Sequence, residues 1–205
     1  MKRGARIVIA TGNRCKLAEI RSMLADVDVE ILPQSEFGIA GADETGETFL
    51  DNALLKARHA AANTGLPSIA DDSGLAVDAL NGRPGVHSAR FAGDDSTDQA
   101  NVSKLLQELA GVEDNDRGAA FHCAAVLVFP DESREAVIAG GEWRGEILRE
   151  PRGENGFGYD PVFYDAALGK AAAEMSATEK NNCSHRGRAF ATLAELIRSE
   201  VARPR

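Results

Sequence analysis

The chain is 205 residues long, 43% hydrophobic and 27% charged, with a formal net charge of −9, the profile of a soluble globular protein long enough to bury a real core. The acidic balance excludes non-specific nucleic-acid binding, which rests on phosphate neutralisation by Lys and Arg, though a locally basic pocket could still hold a small phosphorylated ligand. No window approaches the ~20 apolar residues of a membrane span or the roughly 7–15 of a secretory h-region; with Cys15, Cys123 and Cys183 odd in number and lacking a CxxC pair, no disulfide framework or zinc site is expected and the cytoplasm is the default compartment.

In chain order, Arg6–Ala10 predicts a first strand, followed by Thr11-Gly-Asn13 and a helix with Leu17, Ile20 and Leu24 on one face. Val27–Leu32 alternates as a second strand, and Gly38–Gly46 forms an acidic, Gly-rich loop. Thr48–Thr64 is an Ala-rich helix closed by Gly65. Ile69–Ala70 leads as a buried strand into an Asp71-Asp72-Ser73-Gly74 turn, and Leu75–Leu80 continues extended. Ser96 and Gln99 form a capping box for a helix with Val102, Leu105, Leu106 and Leu109 inward. Ala120–Phe129, Glu135–Gly140 and Glu142–Leu148 read as three strands of a meander, and Pro161–Tyr164 as a further strand. Ser176 with Glu179 caps a short helical turn, and Ser184 opens a last helix whose inward face is Phe190, Leu193, Leu196, Ile197 and Val201. The order predicts one α/β domain with a mixed sheet, in two lobes with a cleft.

Several stretches could carry chemistry. Asp71 and Asp72 at a strand mouth are close and partly desolvated, which is costly unless a cation or proton shares the site. Mg²⁺ between carboxylates and substrate phosphates is one resolution; a solvated turn is the other. Thr11–Lys16 follows a strand and opens a helix, where N–H groups and the helix dipole attract anions. Gly12 permits close approach, Thr11 and Asn13 can donate, and Lys16 supplies charge; a capped helix with a solvated lysine is the plainer alternative. The spacing is not that of a P-loop. Glu44 complements a helix end or adds an oxygen ligand near Asp72, with Glu47 a weaker candidate. His87 and Arg90, in an irregular Gly-rich stretch, could touch a polyphosphate or simply face water. Gly153–Pro161 surrounds Phe157 and Tyr159 with glycines, which suits a stacked base with Asp160 as in-plane acceptor, or a turn with Phe157 in the core. Lys180 and Ser184-His185-Arg186 place cations at a positive helix end, which a bound anion or carbonyl explains better than helix stability does.

Taken in order, these motifs resemble the inosine/xanthosine triphosphate pyrophosphatase family, which clears deaminated purine nucleotides. Thr11-Gly-Asn13 with Lys16 and Glu19, Glu44-x-Gly-x-Thr-Phe49, Ala70–Gly74, Pro84-Gly85 with Ser88–Arg90, Phe157–Pro161 and Ser184–Gly187 fall in family order from Thr11 to about Ala189. The resemblance implies a single elongated α/β domain over 1–205, with a long mixed β-sheet flanked by helices and a central cleft. It also implies a homodimer, Mg²⁺ as cofactor, and hydrolysis of a nucleoside triphosphate (ITP, dITP or XTP) to monophosphate and pyrophosphate. Residue by residue, Thr11, Gly12, Asn13, Arg14, Cys15 and Lys16 would bind the triphosphate, with Lys16 also catalytic. Glu44 and Asp72 would hold metal, and Asp72 would accept the proton. Ser73, Phe157, Gly158, Tyr159, Asp160, Lys180, His185 and Arg186 would contact substrate. The expected partner is a small molecule, not nucleic acid or membrane.

The chemistry is coherent on its own terms: water attacks the α-phosphorus, Asp72 orients or deprotonates it, and Lys16 with Mg²⁺ neutralises the leaving diphosphate. A 6-keto purine edge matches Asp160 as acceptor with Arg186 or His185 as donor. A haloacid-dehalogenase-like phosphatase is the rival enzyme, but it expects Asp-x-Asp and would release orthophosphate through a covalent intermediate. A non-catalytic nucleotide sensor would not need Asp72 with Glu44.

Overall fold

Ala5–Ile9 forms strand β1, in which Ile7, Val8 and Ile9 are all fully buried; burial on both faces is the mark of a strand covered on both sides of a parallel sheet. The computed structural model describes residues 4–202. β1 pairs in parallel with β2 (Val29–Pro33), Ile7 opposite Ile31, and with β3 (Ser68–Val77), Val8 opposite Ser68. The remaining strands are β4 (Gly118–Val128), β5 (Val137–Ile147), β6 (Phe163–Asp165) and β7 (Lys170–Ala171). The seven-stranded order is β2-β1-β3-β4-β5-β6-β7, with β5–β6 and β6–β7 antiparallel. The sheet is therefore mixed, as the sequence implies. The helices are α1 (Arg14–Met23), α2 (Phe49–Thr64), α3 (Asp98–Glu108), α4 (Ala177–Cys183) and α5 (His185–Ala202).

The chain divides into two compact units. One takes the chain up to Asp72, Cys123–Gly141 and the stretch from Arg186 onward; the other takes Ser73–His122 and Glu142–His185. In the first unit, alternation along the strands separates two cores. Ile7, Ile9 and Ile69 pack with Ile20 of α1, with Leu24 just beyond its end, and with Phe190, Leu193 and Ile197 of α5. Val8 and Ala70 turn the other way, onto Ala53, Ala57, Ala60 and Ala61 of α2. These four alanines recur at helical spacing and let the helix lie close to the sheet. Thr48 caps α2 by accepting from Asp51 N at 3.1 Å, and Gly65 closes it in the left-handed region at φ 66°.

The second unit has its own core, which includes Leu75, Leu105, Leu109, Phe121, Trp143 and Phe163. The Phe163 ring lies 4.6 Å from Phe121 and 4.8 Å from Trp143, centroid to centroid. The Trp143 indole donates to Asp165 Oδ2 at 2.8 Å, so the polar end of this buried ring is satisfied.

Four sequence expectations are corrected. β3 runs unbroken through Asp71–Gly74, so no turn stands there. β5 is one strand over Val137–Ile147, because Gly140 and Gly141 weaken a ladder without ending it. The cap of α3 is Thr97, accepting from Ala100 N at 3.2 Å, while the Ser96 hydroxyl donates to Asn101 Oδ1 instead. Leu196 is 37% exposed and does not belong to the inward face of α5; the Val201 side chain lies outside the described residues. Among the described residues no helix is long and apolar enough to cross a membrane.

Candidate active site

Because β3 is continuous, Asp71 and Asp72 point to opposite faces of the sheet. They are neighbours in sequence with different partners in space. Asp71 is 1% exposed, and its Oδ2 accepts from Arg186 Nε at 3.1 Å and lies 3.6 Å from Lys16 Nζ. Arg186, equally buried, also donates through Nη1 to Glu19 Oε2 at 2.7 Å. Burial pushes the Asp71 carboxyl pKa up, but Lys16, Arg186 and Lys56 outweigh it and hold the group well below the usual carboxylate range. Asp71 is therefore an anion at neutral pH. The thiol of Cys123, 4.0 Å away, is pushed up to about 12 by burial and then by Asp71, so it stays protonated and inert.

Asp72 faces a second set of groups. Its Oδ1 accepts from Lys56 Nζ at 2.8 Å, and the same ammonium donates to Glu44 Oε1 at 3.0 Å. Asn52 Nδ2 reaches Asp72 Oδ2 at 3.4 Å, while Asn52 Oδ1 accepts from Gly46 N at 2.7 Å. Asn52 thereby ties the loop carrying Glu44 to β3. A Cβ on Gly46 would stand 2.6 Å from Asp51 Cβ and 2.7 Å from Asn52 Oδ1, so this close approach needs glycine. Burial, helped by the nearby Glu44, raises the Asp72 pKa against Lys56 and Lys16, and the net shift is upward. Burial also pulls Lys56 down, but Asp72, Asp71 and Glu44 prevail and keep its ammonium charged.

Of the Thr11–Lys16 loop, Gly12, Asn13, Arg14 and Cys15 are exposed and Lys16 half-buried. Asn13 caps α1: its Oδ1 accepts from Cys15 N at 2.9 Å and Lys16 N at 3.0 Å, and Thr11 Oγ1 accepts from Asn13 N at 3.2 Å. The side-chain oxygen of Asn13 is thus an acceptor for its own helix, where the sequence pattern reads the side chain as a donor to an anion.

The second unit holds a separate polar cluster. Asp160 is 2% exposed, and its Oδ2 accepts from Lys180 Nζ at 2.6 Å and from Phe157 N at 2.9 Å. Lys180 Nζ lies 4.7 Å from the centroid of the half-buried Phe157 ring. Gly158 N donates to Asp98 Oδ2 at 2.7 Å, and the Tyr159 hydroxyl donates to Ser88 O at 2.8 Å. His185 is buried, its ring stacked on Phe121 at 4.7 Å and 11°. Ser73 follows Asp72 on β3, half-buried.

The structure brings Lys16, Glu44, Asp72 and Arg186 into the first unit, and Phe157–Asp160, Lys180 and His185 into the second. At the start of α5 the Arg186 guanidinium is met by protein carboxylates, Asp71 and Glu19. Glu47 and His87 are exposed. A cavity of about 440 Å³ in the second unit, lined by Arg117, Ile147 and Arg149 among others, contains none of the sequence-nominated residues. Sequence reading missed Lys56, Asn52 and Asp98. For the first two a signal exists: both interrupt the alanine stripe of α2, at the spacing Asn52, Ala53, Lys56, Ala57, Ala60. A polar residue on a buried helical stripe needs a buried partner. Asp98 has no such signal, since an acid in the first turn of a helix is expected anyway.

The model of the Ham1 family matches residues 7–196. A dITP/XTP pyrophosphatase of Yersinia pestis is 52% identical over 193 residues, covering 94% of this chain and 98% of that protein. One from Idiomarina loihiensis is 54% identical over 195 residues, 93% and 96% of the two chains. The solved structure of a HAM1 protein from Coxiella burnetii superposes with a TM-score of 0.88 at 47% identity, covering 95% of this chain and 99% of that one.

Proposed function

The chain belongs to the Ham1 family, and on that premise we propose that it hydrolyses deaminated purine nucleoside triphosphates (ITP, dITP and XTP) to the monophosphate and pyrophosphate. Relatives named dITP/XTP pyrophosphatase over nearly the whole chain support the substrate class. The observation that carries the chemistry is the convergence of Glu44, Lys56 and Asp72, drawn from a loop, a helix and a strand.

Glu44 and Asp72 turn oxygens toward one cationic point, the Lys56 ammonium. Two carboxylates completed by phosphate oxygens and water are a usual donor set of Mg²⁺. The residues therefore fit Mg²⁺ held jointly with substrate. When bound, the ion would neutralise charge developing on the leaving diphosphate. The chain's own groups do the rest. Asp72, with its pKa raised by burial, orients the attacking water and takes its proton. Thr11–Lys16 holds the phosphates, with Lys16 adding charge to the leaving group. The base falls to the Phe157–Asp160 cluster: Phe157 stacks the ring, and Asp160 accepts from the N1–H that a 6-keto purine carries and adenine lacks. Arg186 or His185 supplies the donor to the C6 carbonyl, while Lys180 holds Asp160 in place. The resemblance also supports a homodimer acting in the cytoplasm.

Incubation of the protein with Mg²⁺ and a panel of triphosphates should release pyrophosphate, with ITP and XTP turned over far faster than ATP. A site that hydrogen-bonds a group can reject an analogue lacking it by roughly 10⁴–10⁵. In ¹⁸O-water the label should enter the monophosphate; label only in pyrophosphate means attack at the β-phosphorus, and orthophosphate as product moves the assignment to a phosphatase. Asp160→Asn should lower the ITP-to-ATP ratio of kcat/KM by at least about tenfold, the scale of one lost hydrogen bond to a charged group. An unchanged ratio removes Asp160 from base reading.

A further inference from the structure

Lys56 matches none of the sequence motifs, yet its ammonium sits on the two carboxylates read above as metal ligands. Nζ is 3.0 Å from Glu44 Oε1 and 2.8 Å from Asp72 Oδ1, and the side chain is only 12% exposed. The other oxygen of Asp72, Oδ2, faces Asn52 Nδ2 at 3.4 Å, so Oδ1 is the oxygen of this carboxylate turned to a cation. A divalent ion taking that oxygen would stand about 2.0–2.1 Å from it, next to the ammonium. Although a carboxylate has lone pairs for both, two cations on one pair of largely buried oxygens repel strongly, and departure of the ammonium relieves that repulsion.

We propose that Lys56 and the divalent ion exchange at this seat: Lys56 clamps Glu44 to Asp72 until the ion arrives, and the displaced ammonium then turns to a phosphate oxygen of the nucleotide. The inference rests on the metal reading of Glu44 and Asp72 and adds to it an order of events. A largely buried ammonium that loses two carboxylates needs another anion, and the substrate brings one. Ion and nucleotide then bind with positive coupling, each favouring the state in which Lys56 has left the carboxylates. Lys56 is a positioning residue for the ion as well as a phosphate ligand.

Mn²⁺ binding in the absence of nucleotide, read from the EPR signal of the free ion, tests this without turnover. Lys56→Gln should bind Mn²⁺ at least tenfold more tightly than the wild type, and Lys56→Arg, which keeps the competing charge, should not. Lys16→Gln removes an equal charge that touches neither Glu44 nor Asp72, and should tighten binding far less than Lys56→Gln. Equal or weaker Mn²⁺ binding by Lys56→Gln, or equal tightening by Lys16→Gln, overturns the exchange. If Lys56→Gln does not fold, the wild type decides: the ¹⁵N signal of the Lys56 ammonium should shift and exchange faster with water on Mg²⁺ saturation, and a signal that stays put refutes displacement. Glu44→Gln separates the two layers, because undiminished Mn²⁺ binding there discards the metal reading itself.

Discussion

Asp72→Asn should lower kcat by about 10³-fold, within the 10²–10⁴ typical of a lost general base, while the protein melts at nearly the wild-type temperature. The two halves of that expectation share a cause. Burial raises the Asp72 pKa despite Lys56, so the fold disfavours charge at this position and tolerates a neutral isostere. Asn keeps an oxygen for Lys56, and Glu44 keeps the ion pair. The reaction, in contrast, needs the ionised form. In the wild type kcat/KM should therefore fall in acid, as Asp72 takes up a proton. Steady-state rates on ITP with paired thermal melts check both parts. Retention of more than a tenth of the activity at saturating Mg²⁺ would end the base assignment.

Asp71→Asn, one residue earlier, should do the reverse and cost stability first. Removing one partner of a buried ion pair costs about 3–5 kcal/mol; the Arg186 guanidinium, 2% exposed, loses its fully buried partner and keeps the more exposed Glu19, which places the cost at the low end, about 3 kcal/mol. At about 2–4 °C per kcal/mol for a chain of this size, the melting temperature should drop on the order of 10 °C. The sign with pH follows from the depressed Asp71 pKa. A carboxyl whose folded pKa lies below its unfolded one stabilises at pH above the unfolded value, about 3.9, and loses that contribution as pH falls through the folded one. The gap between wild type and variant should be full at pH 7 and shrink toward pH 3. Equal melting temperatures at pH 7 would show that Asp71 does not anchor Arg186.

That contrast marks where sequence reading stops. The α/β order, Gly65 as the close of α2 and the Ser176–Glu179 cap of α4 were legible, because local periodicity and cap chemistry each act over a few residues. Asp-Asp-Ser-Gly favours a turn locally, and only pairing in the sheet keeps it extended. Once extended, the two carboxylates separate, and the notion of a pair sharing one cation gives way to one anion for Arg186 and another for Lys56. Both partners lie far along the chain, Arg186 at 115 residues from Asp71 and Lys56 at 16 from Asp72, and no spacing rule reaches such distances. Lys180 on Asp160 was hidden for the same reason, though each residue was nominated singly.

The cap on α1 has a practical use. Asn13 holds its loop through the main-chain N–H groups at positions 15 and 16, so the backbone is held there whatever side chain position 15 carries. Here it is an exposed thiol, while Cys123 is buried and Cys183 half-buried. A maleimide dye should therefore attach first at Cys15, within the loop assigned to the phosphates. Its emission would report nucleotide occupancy in real time, and crowding by the label would show as slowed substrate entry, all without a designed substitution.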